Sequence, residues 1–287
     1  MYLSIITNGD NISGVFFDAI DLYFNLCDNN VDCELYIMLQ KRNIFNFCNF
    51  IRKSYTFNFL QSLLKKIYYV DNKLYDFYTK IKKSNNIYIL PSYIIDKDID
   101  LGIFDYYEHV ISHINLRTFL YLDLNINKLD AILNMSNFVY LITPFVYERL
   151  ANYKCKKYII YSKLSKYRLD NMISNDNNNI YINTEYDSIK EDPKFNIHDF
   201  SALDYRRRNF YDDNLYIEIK GKAIFEFLYF NKPVYYHSTP KTLDDGLTDY
   251  LRLFNVDDNV EQMLKINNKD IYNKLVNFNS EELFSCV

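Results

Sequence analysis

The chain has 287 residues, of which 49% are hydrophobic and 24% charged, the balance of an ordinary globular protein. This length predicts two domains or one large one. Only five Gly and five Pro are present, which excludes fibrous, low-complexity and linker-dominated proteins. No stretch approaches the roughly 18 apolar residues of a membrane span, and the first residues have no basic region of a signal peptide. We expect a soluble, cytoplasmic protein.

The cysteines indicate the redox state of the chain. Their number is odd and no C-x-x-C pair occurs among Cys27, Cys33, Cys48, Cys155 and Cys286. This pattern argues against both a zinc ribbon and a disulfide framework, and we expect reduced thiols.

Aromatic residues make up 18% of the chain, as 29 Tyr and 22 Phe with no Trp. Asn, Ile and Lys are also abundant, and all of these residues share A/T-rich codons. An A/T-rich genome, as in several bacteria, large viruses and phages, therefore explains the excess without selection for stacking surfaces.

The net charge of −4 is unevenly distributed. Residues 41–90 contain ten basic and two acidic side chains, a net +8, which leaves −12 for the remainder. Basic and aromatic residues alternate in this segment, so it could follow a nucleic-acid backbone or lie on an anionic membrane. A helical hairpin with a solvated lysine face is the third interpretation. A shorter cluster, Arg206–Arg208, suits a phosphate site.

The first half of the chain begins with a βαβ pattern. A β-branched run at 2–7, a loop at 8–14 with glycine near both ends, an amphipathic helix at 15–29 and a strand at 31–39 predict two parallel strands. Residues 41–85 are predicted to be mostly helical. Further strands are expected at 87–90, 108–112 and 137–142, followed by a short helix at 145–152.

The second half is predicted to begin with a fresh strand at 158–161, so we place the domain boundary after residue 152. Its other elements are strands at 180–183, 215–217 and 234–236 and helices at 221–230, 248–254, 260–265 and 269–277, with a polar surface loop at 170–179. Two α/β halves, each led by a parallel-type strand, predict twin Rossmann-like domains, residues 1–152 and 153–287, that face a central cleft.

Residues 218–234 contain the candidate residues for binding or catalysis. Glu218 stands at the end of a predicted strand, Gly221 at a helix start and Glu226 inside that helix, and Pro233-Val234 opens the next strand. Free N–H groups at the helix start suit an anion, and carboxylates can accept hydrogen bonds from sugar hydroxyls. The alternative is a solvent-facing glutamate pair on an ordinary turn.

This stretch resembles the E-x7-E signature of retaining GT-B glycosyltransferases of the family-4 type. In that pattern a Glu, a Gly three residues later, a Glu at +8 and Pro-Val at +15 and +16 occur together, as they do here from Glu218 to Val234. The opening segment resembles the first loop of the same family, with Gly14 at a helix N-terminus near the donor phosphates. The resemblance implies the GT-B fold, with the acceptor side in the first domain.

The resemblance also implies roles for individual residues. Glu218 would bind the 3- and 4-hydroxyls of the donor sugar and Glu226 the ribose of the nucleotide. The family's glycine-containing turn, here Lys220, Gly221 and Lys222, would lie against the sugar and the diphosphate. Where the family has small residues after its second glutamate, this chain has aromatics and ends on Asn231, which can take the left-handed conformation that glycine usually supplies.

Further site residues follow from the same resemblance. A basic pair five residues apart would stabilise the leaving diphosphate, and Lys163 and Arg168 have that spacing, although the family's order is Arg first. A histidine after a first-domain strand reaches the donor sugar in this family. His113 resembles it, with His109 as the second candidate, and a structural histidine is the alternative. No D-x-D pair stands in a metal-binding context, so no cofactor and no metal are expected.

The leading hypothesis is a glycosyltransferase that moves a sugar from a nucleotide-sugar donor, with a UDP-sugar favoured, to a hydroxyl with retention. The basic segment predicts a polyanionic acceptor, met by Lys41, Arg42, Lys65 and Lys66. A hydroxymethylated pyrimidine in phage DNA and a lipid-linked or surface glycan at an anionic membrane are the two acceptors considered. The alternatives are an inactive nucleotide- or nucleic-acid-binding module and a two-domain relative such as a nucleotide-sugar epimerase. No protein partner is inferred.

Overall fold

The computed structural model describes a defined part of the chain. This part comprises residues 2–9, 14–53, 67–69, 86–89, 109–114, 126–136, 138–141, 150, 156–159, 163–170, 181–183, 224–231, 234–236, 247–257 and 262–281. The predicted helix at 145–152, the strand at 215–217 and most of the polar loop at 170–179 lie outside the described residues.

A seven-stranded parallel sheet dominates the first half. Its strands stand in the order β3-β2-β1-β4-β5-β6-β7, and every described pairing is parallel. The strands are β1 (Tyr2–Asn8), β2 (Asp32–Leu39), β3 (Ile67–Tyr69), β4 (Asn86–Ile89), β5 (His109–Ile114), β6 (Phe138–Leu141) and β7 (Lys156–Ile159). Helices α1 (Gly14–Asp28), α2 (Ile44–Lys53) and α3 (Ile126–Met135) occur between them, with a 3-10 turn at Lys41–Asn43 before α2.

The β1–α1–β2 unit at the centre of this sheet confirms the predicted βαβ pattern. The buried apolar side chains of α1 recur at helical spacing, at Phe16, Phe17, Ala19, Ile20 and Leu26. The last five residues of β2 are all buried, as is typical of a strand covered on both faces. Each buried phenylalanine contributes about 1.5–3 kcal/mol, so this apolar face holds α1 on the sheet.

Among the described helices, three end on asparagines in the left-handed region. Asn30 has φ 57°, and Val31 N–H donates to the Leu26 carbonyl at 3.0 Å, the long bond of a Schellman motif. Asn255, with φ 57°, terminates a helix near the C-terminus in the same way. Asn231 has φ 56°, which confirms the left-handed conformation predicted for it from the sequence.

The large sheet differs from the predictions in two places. Within residues 41–85, predicted to be mostly helical, Ile44–Lys53 is helical but residues 67–69 form β3 and pair with β2, because an Ile-Tyr-Tyr run also suits a strand once a partner edge is available. The strand expected to open the second domain lies instead at 156–159 and pairs with β6 as β7. The domain boundary after residue 152 remains a prediction, but β7 belongs with the strands that precede it. Helix α3 was not predicted.

The second half is built around its own core. Helices α4 (Lys166–Asp170), α5 (Ile224–Tyr229), α6 (Leu247–Arg252) and α7 (Asn268–Ile271), which continues as a π-helical turn over Tyr272–Val276, surround a cluster of buried side chains. Asn267 caps α7 by accepting a hydrogen bond from Asp270 N–H at 2.8 Å. The Lys274 ammonium group donates to the Leu253 carbonyl, and its Nζ lies 5.1 Å from the ring centroid of Phe254. These two contacts join the π-helical turn to the residues just after α6.

A second, three-stranded sheet borders this core. It contains β8 (Tyr181–Asn183), β9 (Val234–Tyr236) and β10 (Gln262–Leu264) in the order β10-β9-β8. β8 and β9 are parallel, whereas β10 is antiparallel to β9. The helix predicted at 260–265 is therefore wrong, because Met263 and Leu264 pair with a strand from an earlier part of the chain. The Rossmann-like fold of this half remains a prediction.

The carboxylate of Asp28 lies at the C-terminal end of α1, where the helix dipole disfavours negative charge. Burial and the neighbouring Asp170 raise its pKa, partly offset by Lys166. A raised folded-state pKa makes folding more favourable below the ordinary pKa of 3.8 and less favourable above it. Asp28→Asn should therefore stabilise the protein at pH 7 by about 0.3–1 kcal/mol, less after solvent screening. Thermal unfolding at pH 7 and below pH 3.8 measures this, and the gain should vanish at the lower pH.

Asp32→Asn is the matched control, because Asp32 is also exposed but begins a strand rather than ending a helix. An equal gain from both substitutions would show that net charge, and not the helix end, is responsible.

Candidate functional site

The described strands of the large sheet have one topological switch point. β1 lies between β2 and β4, so the chain leaves β1 toward one side of the sheet and later continues on the other. In open parallel sheets, ligands bind in the crevice outside the carboxyl ends of the strands at such a point. The candidate site is therefore the carboxyl edge of β1, β4 and β5, which we call the switch-point edge.

At this edge β1 ends in a tight contact. Gly9 N–H donates to the Met38 carbonyl of β2 at 2.8 Å. A Cβ at Gly9 would lie 2.9 Å from Ile37 Cγ2 and 3.2 Å from the ring of Phe47 on α2. A side chain at this position would require Ile37 or its neighbours to shift, whereas glycine fits without displacement.

Helix α1 begins at Gly14, five residues after Gly9. Because α1 follows β1 directly, its N-terminus lies toward the carboxyl end of that strand, as predicted for Gly14. Free N–H groups and the helix dipole at that end favour an anion. In β1 itself, the hydroxyl of Thr7 is buried and finds no hydrogen-bond partner within the structure as described.

His113 lies within β5 rather than in the loop expected after it. The register aligns Ile6 of β1, Ile89 of β4 and Ser112 of β5, so Thr7 and His113 stand one residue beyond the same row. Their strands are separated by β4 alone, which places their backbones roughly 10 Å apart. The second candidate, His109, is the first residue of β5, far from this edge.

A buried pair of serines fixes β5 against α3. Ser136, one residue after α3, donates its hydroxyl proton to the Ile132 carbonyl at 2.6 Å. Its oxygen lies 2.5 Å from the Ser112 oxygen, so Ser112 must be the donor in that hydrogen bond. This hydrogen bond holds Ser112, the residue immediately before His113, against the end of α3.

Glu226 is fully buried. Five consecutive residues of α5, Ile224–Leu228, are buried, so this short helix is enclosed on all sides. A glutamate in such a place is almost always paired, and Glu226 does interact with other groups of the chain. The interpretation of Glu226 as part of a solvent-facing pair is therefore wrong.

The two members of the predicted basic pair lie close to the second core. Lys163 Nζ donates to the Lys274 carbonyl at 2.6 Å, and Leu164 N–H donates to the Leu275 carbonyl at 2.6 Å. In this arrangement the ammonium group of Lys163 is bound to the C-terminal helical turn. Arg168 lies in α4, within the same segment.

Residues 163–170 also contact α1, and this contact was not predicted. The Asp21 carboxylate is buried within α1 and accepts a hydrogen bond from Ser165 N–H at 3.1 Å. Phe24 stacks on Tyr167 with ring centroids 4.6 Å apart and an interplanar angle of 4°. We call these four residues the α1–α4 seam. The available signal was the polar pair Asp21 and Asn25, four and eight residues after Phe17 on the apolar face of α1.

The remaining predicted residues are divided between described and undescribed parts of the chain. Lys41 and Arg42 lie in the 3-10 turn before α2, where Arg42 is exposed. The side chain of Phe45 nearby is 73% exposed. Outside the described residues lie Glu218, Lys220, Gly221, Lys222, Lys65 and Lys66.

No protein-family model, characterised protein or solved structure matches this chain. Among the side chains that the structure describes, no three His, Cys, Asp or Glu residues are grouped so as to hold a metal ion. In the same part of the chain, none of the helices has the length and apolar character needed to cross a membrane.

Proposed function

We propose that the protein is a GT-B-type glycosyltransferase that transfers a sugar from a nucleotide-sugar donor, with a UDP-sugar favoured, to a hydroxyl acceptor with retention. The observation that supports this best is the switch-point edge, where Gly9 and the N-terminus of α1 follow β1, and Thr7 and His113 stand in one row on either side of β4. A crevice of this kind suits a phosphorylated ligand. The protein would act in the cytoplasm, or in the host cytoplasm if it is viral.

The residues of the second half would complete the donor site. Glu218 would hold the hydroxyls of the sugar, and Lys220, Gly221 and Lys222 would lie against the diphosphate. Lys163 would have to exchange its hydrogen bond with the Lys274 carbonyl for one with the diphosphate. Such an exchange neutralises the leaving group as charge develops on it, without a requirement for a metal. Front-side attack, in which the leaving phosphate takes the acceptor proton, needs no nucleophilic side chain.

A nucleotide screen tests the proposal directly. The protein is melted with UDP, GDP and their sugar conjugates, and hydrolysis of each conjugate is followed. A ligand at a hundredfold excess over its dissociation constant stabilises the folded state by about 2.7 kcal/mol. One donor that raises Tm and is slowly hydrolysed supports the transferase, and loss of hydrolysis in Glu218→Ala assigns that residue. If no nucleotide raises Tm, the proposed function is wrong.

A ribose could reach Glu226 only if the packing around α5 opened, because this side chain is fully buried. The ribose role is tested by Glu226→Gln, which keeps the size of the side chain and removes its charge. A hydrogen bond to a charged acceptor is about twice as strong as a neutral one, so nucleotide affinity should fall about tenfold. The measurement is the difference in Tm between bound and free protein for each variant, in which any change in the stability of the free protein cancels. Glu281→Gln, at an exposed glutamate, is the control. An undiminished nucleotide shift in Glu226→Gln would assign Glu226 to the core alone.

For the acceptor we propose a hydroxymethylated pyrimidine in DNA, met by the basic segment of the first half. Arg42 and Phe45 stand three residues apart and expose a cation and an aromatic ring, the two groups that bind a nucleic-acid strand. The lipid-linked or surface glycan is the second candidate, because a basic surface with an exposed phenylalanine also suits an anionic membrane. An inactive nucleotide- or nucleic-acid-binding module would bind DNA without any transfer.

Charge reversal of the basic segment tests this acceptor. The double substitution Lys65→Glu and Lys66→Glu should weaken DNA binding and reduce the slope of log K against log salt by about 0.9 for each phosphate that is no longer neutralised. Binding to hydroxymethylated DNA is measured from about 50 to 200 mM salt, a range over which six to ten phosphate contacts change the affinity by about 10³–10⁵. The control is Lys265→Glu with Lys269→Glu, exposed lysines near the C-terminus. Unchanged binding in the first variant would place the acceptor elsewhere, and binding of anionic vesicles alone would favour the glycan.

A further inference from the structure

Two thiols meet at the turn between α1 and β2. Cys27 lies in the last turn of α1 and Cys33 is the second residue of β2. Their sulfur atoms are 3.9 Å apart, although the chain has no C-x-x-C motif. A disulfide bond is about 2.05 Å long, so the two sulfurs must come roughly 1.9 Å closer for the bond to form.

The two cysteines differ in accessibility. Cys27 is exposed, whereas Cys33 is half-buried and donates its thiol proton to the Tyr23 carbonyl at 3.8 Å. The exposed thiol can be reached by an external disulfide. The half-buried thiol is held beside it by the carbonyl of α1. This is the arrangement of an attacking and a resolving cysteine.

We propose that Cys27 and Cys33 form an oxidisable dithiol that takes a low-molecular-weight disulfide, such as oxidised glutathione, as its oxidant. The Cys27 thiolate attacks one sulfur of oxidised glutathione, the S–S bond breaks and the first glutathione leaves as a thiolate, which takes up a proton. Cys33 loses its proton and attacks the Cys27 sulfur of the mixed disulfide, which releases the second glutathione. The two cysteine thiols are oxidised by two electrons and one glutathione disulfide is reduced to two thiols.

The position of the pair defines its effect on the fold. Cys33 lies at the amino end of β2, whereas the switch-point edge lies at the carboxyl ends of the strands. The bond would therefore tie α1 to β2 behind the proposed donor site. It would close a turn of the polypeptide already shaped by the left-handed Asn30, and it does not depend on the proposed function.

The experiment uses the full-length protein with Cys48, Cys155 and Cys286 replaced by serine. The first basic residue of the chain is Lys41, so trypsin leaves both remaining cysteines in the peptide of residues 1–41. After equilibration in glutathione buffers and alkylation, mass spectrometry should show this peptide with two alkyl groups in reducing buffer and none, with two hydrogens lost, in oxidising buffer. In Cys33→Ser the mixed disulfide with Cys27 should accumulate, because no resolving thiol is present. In Cys27→Ser, less mixed disulfide should form on Cys33, because that thiol is half-buried.

Unfolded protein in urea provides the comparison, because two cysteines six residues apart can also meet in an unfolded chain. The quantity compared is the concentration of oxidised glutathione divided by the square of that of reduced glutathione, at the point where half of the protein is oxidised. If the fold places the thiols for reaction, this ratio should be about tenfold lower for the native protein than in urea. An equal or higher ratio for the native protein overturns the proposal. Absence of the mixed disulfide in Cys33→Ser also overturns it, because the exposed thiol would then not be the attacking one.

Discussion

Gly9→Ala should destabilise the protein by about 1–3 kcal/mol, the usual cost of an extra methyl group in a filled space. The added Cβ would meet Ile37 Cγ2 at 2.9 Å, and the Phe47 ring at 3.2 Å limits movement on the other side. Either β1 must move away from β2 or α2 must be displaced. Urea unfolding measures the loss, and nucleotide-induced stabilisation should fall with it, because Gly9 lies at the switch-point edge.

A double-mutant cycle identifies the clash as the cause. Ile37→Ala removes the side chain that the new methyl group would meet, at the cost of a cavity of its own. In that background Gly9→Ala should cost clearly less than in the native protein, with a coupling energy of about 0.5–3 kcal/mol. Additive costs would contradict the clash with Ile37 and point to the Phe47 ring, 3.2 Å from the added Cβ, instead.

Asp21→Ala should also lower the free energy of unfolding, by about 1.5–3 kcal/mol. The substitution removes the carboxylate that accepts the Ser165 N–H within the α1–α4 seam, and it leaves that donor buried without its acceptor. Asp21→Asn keeps an oxygen in the same place and should recover part of the loss. Urea unfolding followed by fluorescence and by circular dichroism measures both variants.

The same experiment tests whether the seam couples the two halves of the protein. Removal of the Asp21 carboxylate should reduce the cooperativity between the large sheet and the core around α5, so that the two probes report separate transitions. Asp32→Ala, at an exposed aspartate, should leave a single transition of native stability. A single, unshifted transition in Asp21→Ala would show that the other interactions of residues 163–170 are sufficient.

The sequence predicts the β1–α1–β2 unit because its signals are local. The apolar repeat of α1 is too long for a strand, and the apolar runs of β1 and β2 are too short for helices. Length therefore distinguishes the three elements. The predictions fail at β3 and β10, where three residues become a strand only because a partner edge is present. The place of β7 in the large sheet could not be predicted for the same reason, because nothing in Lys156–Ile159 specifies which sheet this strand joins.

The candidate site could be predicted only in part. The N-terminus of α1 at Gly14 follows from a strand–loop–helix pattern, and the left-handed Asn231 follows from its position after a helix. The burial of Glu226 depends on packing around α5 by residues from distant parts of the chain, so no local pattern could predict it. The hydrogen bond between Asp21 and Ser165 spans 144 residues, so a polar residue on the apolar face of α1 indicates a contact but cannot identify the partner.

The left-handed asparagines at positions 30, 231 and 255 have a consequence for engineering this protein. A chain with only five glycines uses asparagine, the next most tolerant residue, to end three of its described helices. Glycine adopts this conformation without the steric cost that asparagine bears. Replacement of each asparagine by glycine should therefore give a small, independent gain in thermal stability, because the three helix ends are separate sites.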